Sequence, residues 1–157
     1  MRFYMKQRVW SWREEFTICD EQGIPRYYVR GELFSWGHKL HIYEPGGREI
    51  AYLEQKLWSF LHRFRIYITG NFAAEIAEQF AWFSRRYQVL GPNWDVAGDV
   101  FSHEYAIDAP FGPVAYISKE WFTWGDSYCI DVRSPQDEIL AICVALGIDC
   151  CLADSNN

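Results

Sequence analysis

Residues 135–152 read PQDEILAICVALGIDCCL, and from Ile139 to Leu152 only Gly147 and Asp149 interrupt the apolar run. Wound as a helix, this stretch puts Ile139, Ile142, Cys143 and Leu146 on one side, Leu140, Val144 and Cys151 on a second, and Ala141, Ala145 and Ile148 on a third. A helix on a protein surface shows one apolar stripe, and one that is apolar all round lies in a core or a membrane. At 1.5 Å per residue the run spans about 21 Å, short of the roughly 20 residues that a bilayer demands. The reading is a buried central helix over about 135–152. Its start carries the usual signals: Ser134 as a cap, Pro135 at the first helical position and Asp137 in the first turn. Everything before it is read as the wall that surrounds it.

That wall repeats with period two. Phe16 and Ile18, Leu40 and Ile42, Phe64, Ile66 and Ile68, and Tyr128, Ile130 and Val132 each alternate with polar or smaller neighbours. Such alternation marks strands with one face in a core and one in water. Turns rich in Gly and Pro separate them: DEQG at 20–23, EPGG at 44–47, TGN at 69–71 and PFGP at 110–113. About twelve strands over roughly 3–133 fit a closed antiparallel barrel or a sandwich. A weak internal repeat favours the barrel. AYLEQKLWSF (51–60), AEIAEQFAWF (74–83) and AYISKEWFTW (115–124) share an Ala, an aliphatic residue two positions on and an aromatic nine positions on. A small inward Ala leaves room for something bulky inside the sheet. The middle copy is also compatible with a helical turn.

The 157 residues make one domain, 1–157, able to bury a sizeable core. A net charge of −6 argues against nucleic acid as a partner. Five cysteines with no CxxC pair, three of them in the apolar helix, read as buried thiols of a reducing compartment. The N-terminus MRFYMKQRVWSW lacks the apolar core of a signal peptide. A cytoplasmic monomer without a transmembrane span is expected, and only the final DSNN reads as a loose polar tail.

No nucleophile elbow, phosphate loop, zinc motif or cofactor signature is present, so no catalytic residue, metal site or cofactor is assigned. His38 and His41 would face opposite sides of one strand, and His103 and Glu104 also diverge. Asp126, Asp131 and Asp137 form an acidic stretch, but it lacks the Gly and the terminal Glu of a calcium loop. Asp149 must be paired, hydrogen-bonded or protonated, and a structural role near the barrel mouth is expected. Arg63 and Arg65 project from one outward strand face, and Arg85 and Arg86 open a strand that could lie close by. Those four arginines are the candidate site for an anionic, phosphate-bearing head group. The competing reading is a scattered, solvated set.

The run FTICDEQGIPRYYVRGELFSWGHKLHIYEPGGREIAYLEQKLWSF, followed by VAGDVFSHEYAI and VAYISKEWFTWGDSYCIDV, resembles the LURP-one-related family. The likeness rests on Asp20 ending a strand, Gly23 in the turn, Tyr28-Val29, Gly37 before a strand, and Gln55-Lys56. It implies a twelve-stranded barrel threaded by a hydrophobic C-terminal helix, as in Tubby C-terminal domains and, by inference, phospholipid scramblases. In those relatives Tubby domains bind phosphoinositide head groups, scramblases act on membranes with calcium, and plant members are linked to defence. Tubby's lipid-binding residues find no one-to-one match here. The expected function is a non-enzymatic binding or regulatory module for an anionic lipid or a protein partner. A carrier of a small apolar ligand, or an enzyme of unrecognised type, are the alternatives.

Overall fold

The computed structural model describes residues 1–6, 15–32, 35–122 and 125–155; the side chains of residues 6, 121, 122, 125 and 126 lie outside that description. Twelve strands are followed by one helix. In chain order they are β1 (Arg2–Lys6), β2 (Phe16–Cys19), β3 (Pro25–Gly31), β4 (Lys39–Tyr43), β5 (Glu49–Gln55) and β6 (Arg63–Ile68). There follow β7 (Asn71–Gln79), β8 (Arg86–Leu90), β9 (Trp94–Asp99), β10 (Glu104–Ala109), β11 (Gly112–Phe122), β12 (Gly125–Val132) and α1 (Glu138–Ser155). Each strand pairs antiparallel with its sequence neighbours, and β1 with β12 completes a closed barrel. The seam is fixed at its end by the Met1 amine, which donates to the Val132 carbonyl at 2.9 Å, and by Val132 N–H, which returns a bond to Met1 O at 2.8 Å.

The period-two pattern decides which way each strand faces. Leu40, Ile42, Leu53, Phe64, Ile66, Ile76, Val89, Val96, Ile107, Ile117 and Ile130 are all buried. The repeated alanines, Ala51, Ala74 and Ala115, point inward beside them, and AEIAEQ is part of strand β7, not a helical turn. A ring of eight strands is filled by its own side chains, whereas twelve enclose a wider lumen. Here α1, about 10 Å across, is the filling: Ile142, Val144, Leu146 and Ile148 are wholly buried. The fit is close at Gly147, where an added Cβ would stand 2.5 Å from Ile76 Cδ1 and 3.7 Å from Phe64 Cβ. No described helix is long and apolar enough to cross a membrane.

The helix differs from its expected limits at both ends. Residues 135–137 form a 3-10 turn before α1, and the Ser134 side chain makes no cap bond. The start is held instead by Glu138, buried and bonded by the Tyr27 hydroxyl, with Arg26 3.7 Å away. At the far end Asp154 and Ser155 belong to α1, so half of the anticipated polar tail is structured. Asn156 and Asn157 lie outside the described residues.

The cysteines follow the burial expected of them. Cys129, Cys143, Cys150 and Cys151 are buried and Cys19 is partly so, all as free thiols. Burial pushes Cys129 up to about 11 and the three helix thiols higher still, which suppresses thiolate chemistry.

Candidate functional site

In an up-and-down barrel, the connections after odd-numbered strands all lie at one end and those after even-numbered strands at the other. The even connections here are tight turns. The odd ones after β3, β5 and β7 are longer, at 32–38, 56–62 and 80–85, and α1 runs toward that end, so its last turn reaches the mouth they surround.

Asp154 sits in that last turn, where the helix offers no basic residue of its own and its dipole disfavours a negative charge. The wall supplies the compensation. His38 Nε2 lies 2.7 Å from Asp154 Oδ1, Gln55 Nε2 donates to Oδ2 at 3.1 Å, and His62 Nε2 stands 3.7 Å from Oδ2. His62 Nδ1 in turn meets Glu78 at 2.7 Å, and Glu78 meets Arg85 at 3.3 Å. A chain of polar contacts thus ties the helix end to the β3–β4 loop, β5, the β5–β6 loop, β7 and the β7–β8 loop.

Burial tends to raise the Asp154 carboxyl, but its bonds to His38 and Gln55 and the nearby His62 outweigh this and hold it below the ordinary range. A depressed acid stabilises the fold above its unfolded pKa of about 3.9, and that contribution fades as pH falls through the lower folded value. Asp154→Asn is therefore expected to melt roughly 2–4 °C below wild type at neutral pH, corresponding to about 1 kcal/mol. The gap should close as pH falls below about 4. Calorimetry across that range checks it; a gap independent of pH would mean that the carboxylate charge contributes nothing.

Deeper in the mouth lies Asp149. His103 Nε2 is 3.1 Å from its Oδ1, and the Tyr128 hydroxyl donates to Oδ2. His103 also stacks on Tyr128 with centroids 4.9 Å apart, and its own φ is 56°. Burial pushes the Asp149 carboxyl up against the opposing pull of His103. Burial likewise pulls His103 down, yet the bond and charge of Asp149 outweigh it and leave His103 raised. The hydroxyls of Tyr87 and Tyr105 are buried and find no hydrogen-bond partner among the described residues. With both His103 and Asp149 nearly covered, this group packs the helix to the wall and offers no surface to a substrate.

The four candidate arginines divide. Arg63 and Arg65 do share the outer face of β6, and β7 and β8 follow beside it in the sheet. Arg63 pairs with Glu75 at 3.3 Å, with Lys56 3.9 Å from the same carboxylate. Arg65 stands in register with Glu54 on one side and Glu75 on the other. Arg86 begins β8, is exposed and forms no ion pair among the described residues. Arg85 precedes the strand and turns over the mouth to Glu78, its guanidinium 5.3 Å from the Phe101 ring centre. Of the acidic trio, Asp131 is engaged by Arg2 at 3.4 Å and by the Met1 amine at 3.7 Å. Asp137 lies in the 3-10 turn, and the side chain of Asp126 is outside the described residues.

Among the described residues, depressions mark the outer wall. One of about 410 Å³ is lined by His41, Glu49, Tyr52, Glu54 and Tyr67, and one of about 320 Å³ by Glu15, Tyr28, Arg30, Tyr43 and Glu44. Paired glutamates in each make them poor receptors for phosphate. In the first, His41 contacts Glu32 at 2.8 Å and Glu49 at 3.1 Å.

What the sequence reading missed is the exposure of aromatic residues at the mouth. Trp58 is 99% exposed, Phe60 96% and Phe83 102%, with Trp36, Trp82 and Phe101 also largely exposed. Trp58 holds a φ of 63°, a left-handed conformation that bulky residues seldom adopt. The signal was in the repeat: its shared aromatic, Phe60 in the first copy and Phe83 in the second, falls beyond the strand in a mouth loop. Trp124 of the third copy lies outside the described residues.

Comparison with known proteins agrees with this architecture. The model of the LURP-one-related family matches residues 1–149. The chain belongs to that family. A LURP-one-related chain of this kind is also similar to an uncharacterized protein of Bacillus subtilis strain 168, YxjI, 28% identical over 75 residues. That match takes in 48% of the present chain and 46% of YxjI, so it spans about half of the relative's length. Among solved structures, an X-ray structure of a protein from Arabidopsis thaliana superposes with a TM-score of 0.63 at 14% identity. It covers 99% of this chain and 92% of the other. At that identity the likeness establishes a shared fold.

Proposed function

We propose that this LURP-one-related barrel is a non-enzymatic, cytoplasmic binding module that recognises an anionic, phosphate-bearing lipid head group at its mouth. One observation supports this most. Segments 56–63 and 80–86 contribute Lys56, Arg63, Arg85 and Arg86 and contain no Asp or Glu, in a chain of net charge −6. Guanidinium forks match phosphate oxygens in geometry as well as charge. Within the site, exposed Arg86 and the Lys56–Arg63 pair contribute most, Arg85 closes the mouth side, and Arg65, between two glutamates, contributes least. Filling of the lumen by α1 weighs against the alternative of an apolar carrier.

The overall negative charge repels an anionic surface beyond about one Debye length, near 8 Å at physiological salt. Binding should therefore be local, head-group-selective and weakened by salt. Calorimetric titration with soluble phosphorylated head groups should show binding that falls at least tenfold in the double variant Arg63→Ala/Arg86→Ala. The melting temperature should change little, because exposed arginines contribute little to stability. Failure to bind any phosphorylated head group, free or on vesicles, would remove this site and favour a protein partner.

A further inference from the structure

We infer that the mouth loops form a membrane-insertion surface, in which the exposed aromatic rings enter the interfacial layer of an anionic bilayer while the neighbouring cations meet its phosphates. This rests on the head-group reading and adds a second contact to it.

The rings come from four separate connections at one end of the barrel: Trp36 after β3, Trp58 and Phe60 after β5, Trp82 and Phe83 after β7, and Phe101 after β9. Their exposure is the telling property. Trp58, Phe60 and Phe83 are at or near full exposure and project singly, whereas Trp82 meets Phe80 edge-on at 5.4 Å and Phe101 lies beneath the Arg85 guanidinium. A folded protein partner would need a separate pocket for each projecting ring. The bilayer interface deforms around each one, and Trp is the side chain most suited to that layer, with an apolar body and a polar N–H.

Charge complements this. The described mouth connections and the strand residues next to them carry Lys39, Lys56, Arg63, Arg85 and Arg86 against Glu15, Glu32, Asp99 and Glu104. The opposite end also exposes Ile24 and Phe111, but its turn segments carry Asp20, Glu21, Glu44 and Asp137 against Arg48 and Arg133, a net negative set that an anionic surface repels. The mouth is thus the less acidic end of the barrel, and it approaches the membrane first. Apolar insertion and electrostatic attraction add in such interfacial binding, and each alone is weak.

The test pairs two substitution sets on the full chain. The first is Trp58→Ser, Phe60→Ser, Trp82→Ser and Phe83→Ser together; the second is Arg63→Ala/Arg86→Ala. Probes are phosphatidylcholine vesicles doped with a phosphatidylinositol phosphate, pure phosphatidylcholine vesicles, and the soluble inositol phosphate. Wild type should sediment with the doped vesicles, and brominated acyl chains should quench its tryptophan fluorescence. The serine variant should lose vesicle binding at least tenfold, with an unchanged melting temperature and unchanged affinity for the soluble head group. The arginine variant should lose the soluble head group as well. Undiminished vesicle binding by the serine variant, or wild-type binding without quenching, overturns insertion and leaves head-group recognition standing. Quenching on vesicles that survives Arg63→Ala/Arg86→Ala supports insertion and overturns the head-group site. Self-association of wild type that the serine variant abolishes, without vesicle binding, overturns insertion in favour of a second copy of the chain.

Discussion

A chain truncated after Arg133, which keeps the twelve-stranded wall and removes α1, is expected to be insoluble or unfolded. The wall ends at Val132, so the deletion takes no strand with it. It removes Ile142, Val144, Leu146, Ile148 and Leu152, each at most 3% exposed. At roughly 1.5–3 kcal/mol apiece these five side chains give about 8–15 kcal/mol of gross burial. That equals the net stability of a whole domain, about 5–15 kcal/mol. The loss is doubled from the other side, because inward residues such as Leu53, Phe64 and Ile76 would face an empty lumen. Solubility after expression and circular dichroism on heating decide the matter. A soluble truncate with a cooperative melt would show that the wall is stable without its filling.

Leu146→Asp is expected to prevent folding, whereas Asp149→Asn three residues on should cost about 1–3 kcal/mol. Leu146 is wholly buried in the hydrophobic core, where a carboxylate is stripped of its hydration. Asp149 already has two, His103 Nε2 at 3.1 Å and the Tyr128 hydroxyl. An amide in its place keeps an oxygen for the tyrosine, loses the charge toward His103, and turns an N–H donor to His103 Nε2, which can accept it only in the other ring tautomer. Urea unfolding of both variants measures the contrast. Equal and severe damage would mean that the Asp149 charge itself, paired with His103, holds the helix in place.

The fold was legible because its two main signals are local. An all-round apolar helix and a period-two strand are both written in consecutive residues, and both appear where the pattern puts them. The inward alanines of the repeat were legible for the same reason. The surroundings of Asp149 were not: His103 is 46 residues away and Tyr128 is 21, and only closure of the barrel brings them to one carboxylate. Asp154 was read as tail because nothing nearby in the sequence satisfies it; its partners His38 and Gln55 come from 116 and 99 residues upstream. The aromatic loops were hidden for a different reason. Hydropathy cannot distinguish a Phe that ends a strand inside from one that leaves the strand and projects outside. For the arginines, the shared face of Arg63 and Arg65 follows from strand alternation, but the glutamates beside them belong to other strands.

The seam between β1 and β12 has a consequence for how the protein is made. Within this chain the wall is synthesised first and its filling last. At roughly 5–20 residues per second, β1 waits on the order of ten seconds before β12 has been translated. Throughout that interval the inward aliphatics of a growing, open sheet have no helix to cover them, and both sheet edges are unpaired. The barrel can close only after the final strand arrives, with a contact between the two extremes of the sequence, the kind of pairing that makes folding slow. Biogenesis is therefore the vulnerable stage: a finished molecule buries these groups completely, while a nascent one displays all of them and depends on crowding, temperature and chaperone supply until α1 emerges.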